Sequence, residues 1–245
     1  LRDAFNHLKK LADDVFVREF EKISKIGPWD ARNNYVQALV APEDKSRVEQ
    51  FLKDTIKEPE NEAMCAKAIR LLEIQKFCLF SFTSCGWFFN DIEGLEPVQN
   101  MRYALRAMEL LEPFLPYGHH IKNEVISILA RATSNEHKWN GAEVFTKYAE
   151  ETVPSIVKEM AEQAAIFHLN LEDDNEQNKK IVATKIASRK RQTLVRTEYY
   201  DKYINERRIS TILAITDTLG RINLVVADGE NEQNGLKIVR DPNMS

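Results

Sequence analysis

The sequence predicts a mainly α fold: an antiparallel helical bundle followed by a small antiparallel β-sheet. Three observations carry this reading. Apolar residues recur at three- and four-residue spacing through roughly the first 170 positions, as on the inner stripe of surface helices. At Leu171 the character changes to β-branched segments of alternating polarity. Between the two lies an acidic stretch, Glu172-Asp173-Asp174-Asn175-Glu176, which suits a linker or turn. The expected domains are therefore a helical bundle over 1–170 and a β subdomain over 171–245.

The elements follow in order. Residues 1–25 form the first predicted helix, stopped by Gly27-Pro28. The second covers 29–40 and stops before Pro42, and the third covers 44–57. The longest covers 60–83. It opens with one apolar face (Met64, Ala68, Leu71, Leu72) and by Phe77, Phe80 and Phe82 is apolar nearly all round, so its end is expected to enter the centre of the fold. Helices over 96–111, 121–132 and 153–168 complete the bundle, and the short loops favour antiparallel neighbours. Strands are expected over 180–188, 192–200, 207–216 and 221–227, with 237–240 as a further candidate. Asp217-Thr218-Leu219-Gly220 reads as a hairpin turn.

Composition excludes several classes of function. The formal net charge of −4 gives no electrostatic case for nucleic acid or an anionic membrane. The longest apolar run, 78–89, is too short to span a bilayer and is broken by Ser81, Thr83 and Ser84. Cys65, Cys78 and Cys85 are odd in number and match no disulfide or zinc spacing, which predicts a reducing, cytoplasmic setting. The chain opens on Leu1 directly in a helical pattern, as expected of part of a longer protein.

One segment stands apart, 83–94. It holds Trp87, Phe88 and Phe89, a glycine at 86 that permits close approach, and the carboxylates Asp91 and Glu93. Rings with a few placed polar groups are what a sugar pocket uses. The competing reading is a helix end whose aromatics plug the core and whose Asp91 caps the next helix. Asp91 and Glu93 are two apart, do not face each other on a helix, and so make a poor acid/base couple. Cys85 lacks a recognisable base, and a buried thiol acting as a small hydrophobe is the favoured reading. His119-His120 point different ways on a helix and form no two-ligand pair, so neither a metal nor any other cofactor is expected. The basic run at Arg189, Lys190, Arg191 and Arg196 reads as a solvated cluster protecting a sheet edge.

Residues 83–96 (TSCGWFFNDIEGLE) resemble the hallmark of an uncharacterised domain found at the C-terminal end of proteins similar to glycoside hydrolase family 57. The likeness extends to 27–35, 71–76 and 98–107, and covers about residues 1–228. Asn90 departs from the pattern, where relatives often carry Asp. The resemblance implies a retaining enzyme acting on α-glucans. Its Glu nucleophile and Asp acid/base would sit on an N-terminal incomplete barrel, and a Trp-containing stretch from a helical domain would close the site. None of that barrel lies in these residues, so no catalytic residue carries over and the chain alone is expected to be inactive. The expected substrate-binding set is Ser84, Cys85, Gly86, Trp87, Phe88, Asp91 and Glu93. The expected partners are the N-terminal catalytic barrel and a carbohydrate, with self-association through the aromatic face. The alternative is a non-catalytic module that braces a barrel or mediates dimerisation.

Overall fold

The computed structural model describes residues 1–40, 45–88, 91–150, 155–169, 181–201, 206–218, 220–228 and 237–239. The fold is mainly α with a C-terminal antiparallel sheet. The chain divides into two compact units, Leu1–Thr152 and Val153–Ser245.

The first unit holds α1 (Arg2–Phe20), α2 (Pro28–Asn34), α3 (Val36–Leu39), α4 (Lys45–Thr55), α5 (Glu62–Phe80), α6 (Leu95–Leu111), α7 (Ile121–Leu129) and α8 (Gly141–Val144). In α1 the buried positions Ala4, Phe5, Leu8, Ala12, Val15 and Phe16 fall three or four apart, so one stripe faces inward. That stripe packs on α5, which packs in turn on α6. Phe5, Phe16, Leu71, Leu72, Ile74, Met101, Leu111 and Leu129 are among the largest fully buried side chains. Each such burial contributes about 1.5–3 kcal/mol.

Several elements are shorter than predicted. The helix expected over 1–25 ends at Phe20 because Ser24 leaves to form a bridge with Ile56, with Lys25 N–H on Thr55 O and Lys57 N–H on Ile23 O. The helix expected over 29–40 is split at Tyr35, whose hydroxyl donates to Glu73 Oε1 at 2.8 Å. Asn61 starts α5 by accepting from Met64 N–H. Its far end does not enter the centre of the fold: Leu79 and Phe80 are 47% and 41% exposed. The short helix α8 escaped prediction, as did the 3-10 helix over Glu112–Phe114 and the π-helix over Phe145–Glu150. Asn140 and Glu143 form a reciprocal capping box at the start of α8, a spacing visible in the sequence.

Glu19 ties α1 to α5. Its carboxylate accepts from Lys22 and Lys67, each at 2.8 Å, and from Arg18 at 3.0 Å. The hydrogen bonds from Lys22 and Lys67, more than the opposing effect of burial, push its pKa down to about 2. A depressed carboxylate pKa stabilises the fold above the unfolded-state value near 4.5 and ceases to do so as pH falls through the folded value. Glu19→Gln is therefore expected to cost about 1–2 kcal/mol at neutral pH after solvent screening. Urea denaturation at stepped pH should show the wild-type advantage shrinking between about pH 4.5 and 2.

The second unit holds α9 (Ser155–Leu169) and the strands β1 (Ile181–Arg189), β2 (Gln192–Asp201), β3 (Glu206–Thr216), β4 (Ile222–Asp228) and β5 (Lys237–Val239). The strands pair in sequence order, all antiparallel. The register aligns Val195 with Ile212 and Ile212 with Val226, so alternate side chains form one buried row. Val157, Met160, Ala161 and Ala164 of α9 cover that row. His168 accepts or donates at both ring nitrogens, to Thr193 Oγ1 (2.8 Å) and Thr216 Oγ1 (2.7 Å). Thus α9, read in the sequence as part of the helical series, packs on the sheet. The predicted strands agree with the observed ones to within about two residues at each end. The linker read at 172–176 lies outside the described residues. Arg189, Lys190, Arg191 and Arg196 are exposed, and Arg196 pairs with Glu198 at 3.1 Å. Among the described residues no helix is long and apolar enough to cross a membrane.

Candidate functional site

The 83–94 segment begins where α5 stops. Ser81 Oγ donates to Cys78 O at 2.7 Å and draws the last turn closed. Thr83 is then clamped by Asn100 from α6: its hydroxyl donates to Asn100 Oδ1 (2.6 Å) and its carbonyl accepts from Asn100 Nδ2 (3.1 Å). Asn100 is only 1% exposed, so both polar ends are satisfied inside the protein. Ser84–Trp87 forms a 3-10 turn directly against this clamp. Gly86 is buried there, and a Cβ added to it would lie 2.2 Å from Asn100 Nδ2. Side-chain volume, not backbone angle, demands glycine at this position.

The turn delivers Trp87 into a ring cluster. Phe82 stacks against it at 5.9 Å and 17°, Phe5 meets it edge-on at 6.0 Å, and the Arg2 guanidinium lies 4.5 Å above its ring centroid. Trp87 is half-buried, and its indole N–H is buried with no acceptor among the described residues. Phe88 is 83% exposed. Arg2, Phe82, Ser84, Trp87 and Phe88 line a cleft of about 400 Å³. Ser84 and Cys85 are exposed, so the expectation of a buried Cys85 is corrected: the 3-10 turn spends its inward position on Gly86. The buried thiol is Cys78, whose pKa is pushed up to about 12 by burial. Phe89 and Asn90 lie outside the described residues.

Asp91 and Glu93 do not line this cleft. Asp91 Oδ1 accepts the N–H of Glu93 (3.0 Å), and Oδ2 accepts those of Asn135 (2.8 Å) and Glu136 (3.3 Å). It does not cap α6, whose N-cap is Gly94 with no side-chain bond. The Glu93 N–H bond, joined by those of Asn135 and Glu136, holds the Asp91 carboxyl below the usual aspartate range against the effect of burial. Glu93 Oε2 pairs with His137 Nδ1 at 2.6 Å, and the Glu93 side chain is 6% exposed. Burial alone would raise its pKa, but the nearby Ser134 hydroxyl and the His137 ring outweigh that and leave it lowered. The His137 ring stacks on Trp139 at 4.7 Å and 20°. Glu93, Glu136 and His137 each bring one possible ligand atom to within 4.8 Å of the others.

The structure thus separates the predicted set into two places. Ser84, Trp87 and Phe88 share the aromatic cleft, with Cys85 and Gly86 in the turn that builds it. Asp91 and Glu93 bind the 134–137 loop instead. Sequence reasoning missed Arg2, Phe5, Asn100 and His137, which reach the segment from distant positions and carry no local motif.

Residues 1–209 match the family described as Domain of unknown function (DUF3536), and the chain belongs to that family. No curated protein and no solved structure matches it.

Proposed function

We propose that the chain is the helical accessory region of a carbohydrate-active enzyme similar to glycoside hydrolase family 57, of the α-glucan hydrolase or glucanotransferase type. It contributes an aromatic surface to a sugar site whose catalytic barrel lies outside these residues. The observation that carries this reading is the cleft between Phe82, Trp87 and Phe88, edged by the cation of Arg2 and the hydroxyl of Ser84. Apolar rings with a few polar groups at the rim suit the C–H faces and hydroxyls of a sugar. Phe88 offers the most exposed ring area, and Trp87 backs it.

The test is titration of the chain with a series of α-glucan oligosaccharides. Saturable binding is expected without turnover. Phe88→Ala should weaken it by about 1–2 kcal/mol, roughly five- to thirtyfold, by analogy with other stacking platforms. The change should leave the melting temperature nearly unaltered, because an exposed ring contributes little to stability. Absence of binding to every oligosaccharide, or measured hydrolysis by the chain alone, would overturn the reading.

A second reading rests on a specific observation. Leu79, Phe80, Phe88 and Leu95 are 47%, 41%, 83% and 74% exposed, which is much apolar surface around one short segment. This favours a module that braces a barrel or pairs with a second copy. Under that reading Phe88→Ala changes the sedimentation behaviour rather than sugar affinity.

A further inference from the structure

We infer that Glu93, Glu136 and His137 form a site for a divalent first-row transition ion of the Zn2+ type. Two observations carry it. One possible ligand atom from each residue lies within 4.8 Å of the other two, although Glu93 is more than forty positions from its partners. Independently, the Glu93 side chain is 94% buried, and its Oε1 has no hydrogen-bond partner among the described residues. A buried carboxylate oxygen without a donor is costly to leave so, and a cation satisfies it.

The donor set selects the class of ion. One imidazole nitrogen with two carboxylate oxygens suits zinc and its neighbours better than magnesium or calcium, which favour oxygen alone. The two carboxylates offset the charge of a divalent ion, and three protein ligands leave a position for water. The surroundings hold the ligands in place. Asp91 accepts the N–H groups of Asn135 and Glu136 and so fixes the loop that carries Glu136 and His137. Stacking on Trp139 orients the His137 ring.

Entry of the ion requires a small rearrangement. Nδ1 of His137 and Oε2 of Glu93 are 2.6 Å apart. Zinc bonds of about 2.0–2.2 Å at tetrahedral angles need that gap to open to roughly 3.3 Å. Glu136 and His137 are exposed side chains and can turn to allow it. For Nδ1 of the neutral His137 ring to bind the metal, its proton moves to Nε2 by exchange with solvent, which frees the Nδ1 lone pair.

The experiment is equilibrium dialysis of the chain against micromolar Zn2+ in excess Mg2+, with the bound metal quantified. One equivalent of zinc is expected, together with a raised melting temperature. Glu93→Gln and His137→Gln should each weaken binding by about tenfold or more. His7→Gln, which alters a separate His7–Glu124 pair, should leave it unchanged. Circular dichroism without metal checks that the variants fold. Should Glu93→Gln fail to fold, the exposed His137 carries the test alone. Absence of stoichiometric zinc, or binding that survives the His137 change, overturns the site.

Discussion

Trp87→Ala is expected to lower the stability of the helical unit by about 3 kcal/mol, near the lower end of the range for large aromatic truncations. The ring touches Phe82, Phe5 and the Arg2 guanidinium, so its removal takes away two aromatic pairs and a cation–π contact at once. Pairs of this kind are worth about 0.5–1.5 kcal/mol each beyond the area they bury. Half-burial keeps the cost below that of a fully enclosed Trp. A control separates the ring from its N–H. Trp87→Phe keeps an aromatic body against Phe5 and Phe82 and removes a buried donor that has no acceptor. It should therefore cost less than about 1 kcal/mol. Denaturant midpoints for both variants check the pair, and a midpoint for Trp87→Ala equal to that of the wild type would show that the ring cluster does not hold this turn in place.

Gly86→Ala is expected to cost about 2–4 kcal/mol despite adding one methyl group. The new Cβ would fall 2.2 Å from Asn100 Nδ2 and 2.7 Å from its Cγ, so Asn100 must move. Movement breaks the two bonds that join Asn100 to Thr83 and leaves buried polar atoms without partners. Overpacking and lost hydrogen bonds each contribute about 1–3 kcal/mol. A second-site change distinguishes these causes. In Asn100→Ala the same glycine substitution meets no side chain beyond Cβ. The combined loss should then fall well short of the sum of the two single losses. Additive losses would place the strain elsewhere in the turn.

Much of the fold was legible because its signals are local. Alternation that puts Thr193, Val195 and Thr197 on one face of β2 can be read along the sequence, and the neighbouring strands supply matching rows. The helices with a clean inner stripe, such as α1, were equally plain. What was not legible depends on distant pairing. Ser24 and Ile56 form the bridge that ends α1 early, and neither residue looks unlike its helical neighbours. The aromatic run 77–82 reads as core, yet Phe80 packs on Tyr103 while remaining 41% exposed. The same division runs through the site. Trp87 and Phe88 announce themselves by composition, whereas Asn100 and His137 acquire meaning only through contacts that cross 17 and 44 positions. A motif search restricted to short spacings cannot assemble Glu93 with His137.

The order of the sheet has a consequence for how the chain acquires its structure. Every strand pairs only with its immediate predecessor and successor, so each ladder closes a short loop. The first hairpin turns on just Lys190 and Arg191. Contacts in the first unit close far larger loops, such as the 117 positions between His7 and Glu124. Loop closure over long separations slows the search, and local pairing speeds it. The β-rich part, usually the slower partner in a mixed protein, is here the one whose topology permits rapid zipping. The helical part carries the entropic burden of bringing its first helix against its seventh.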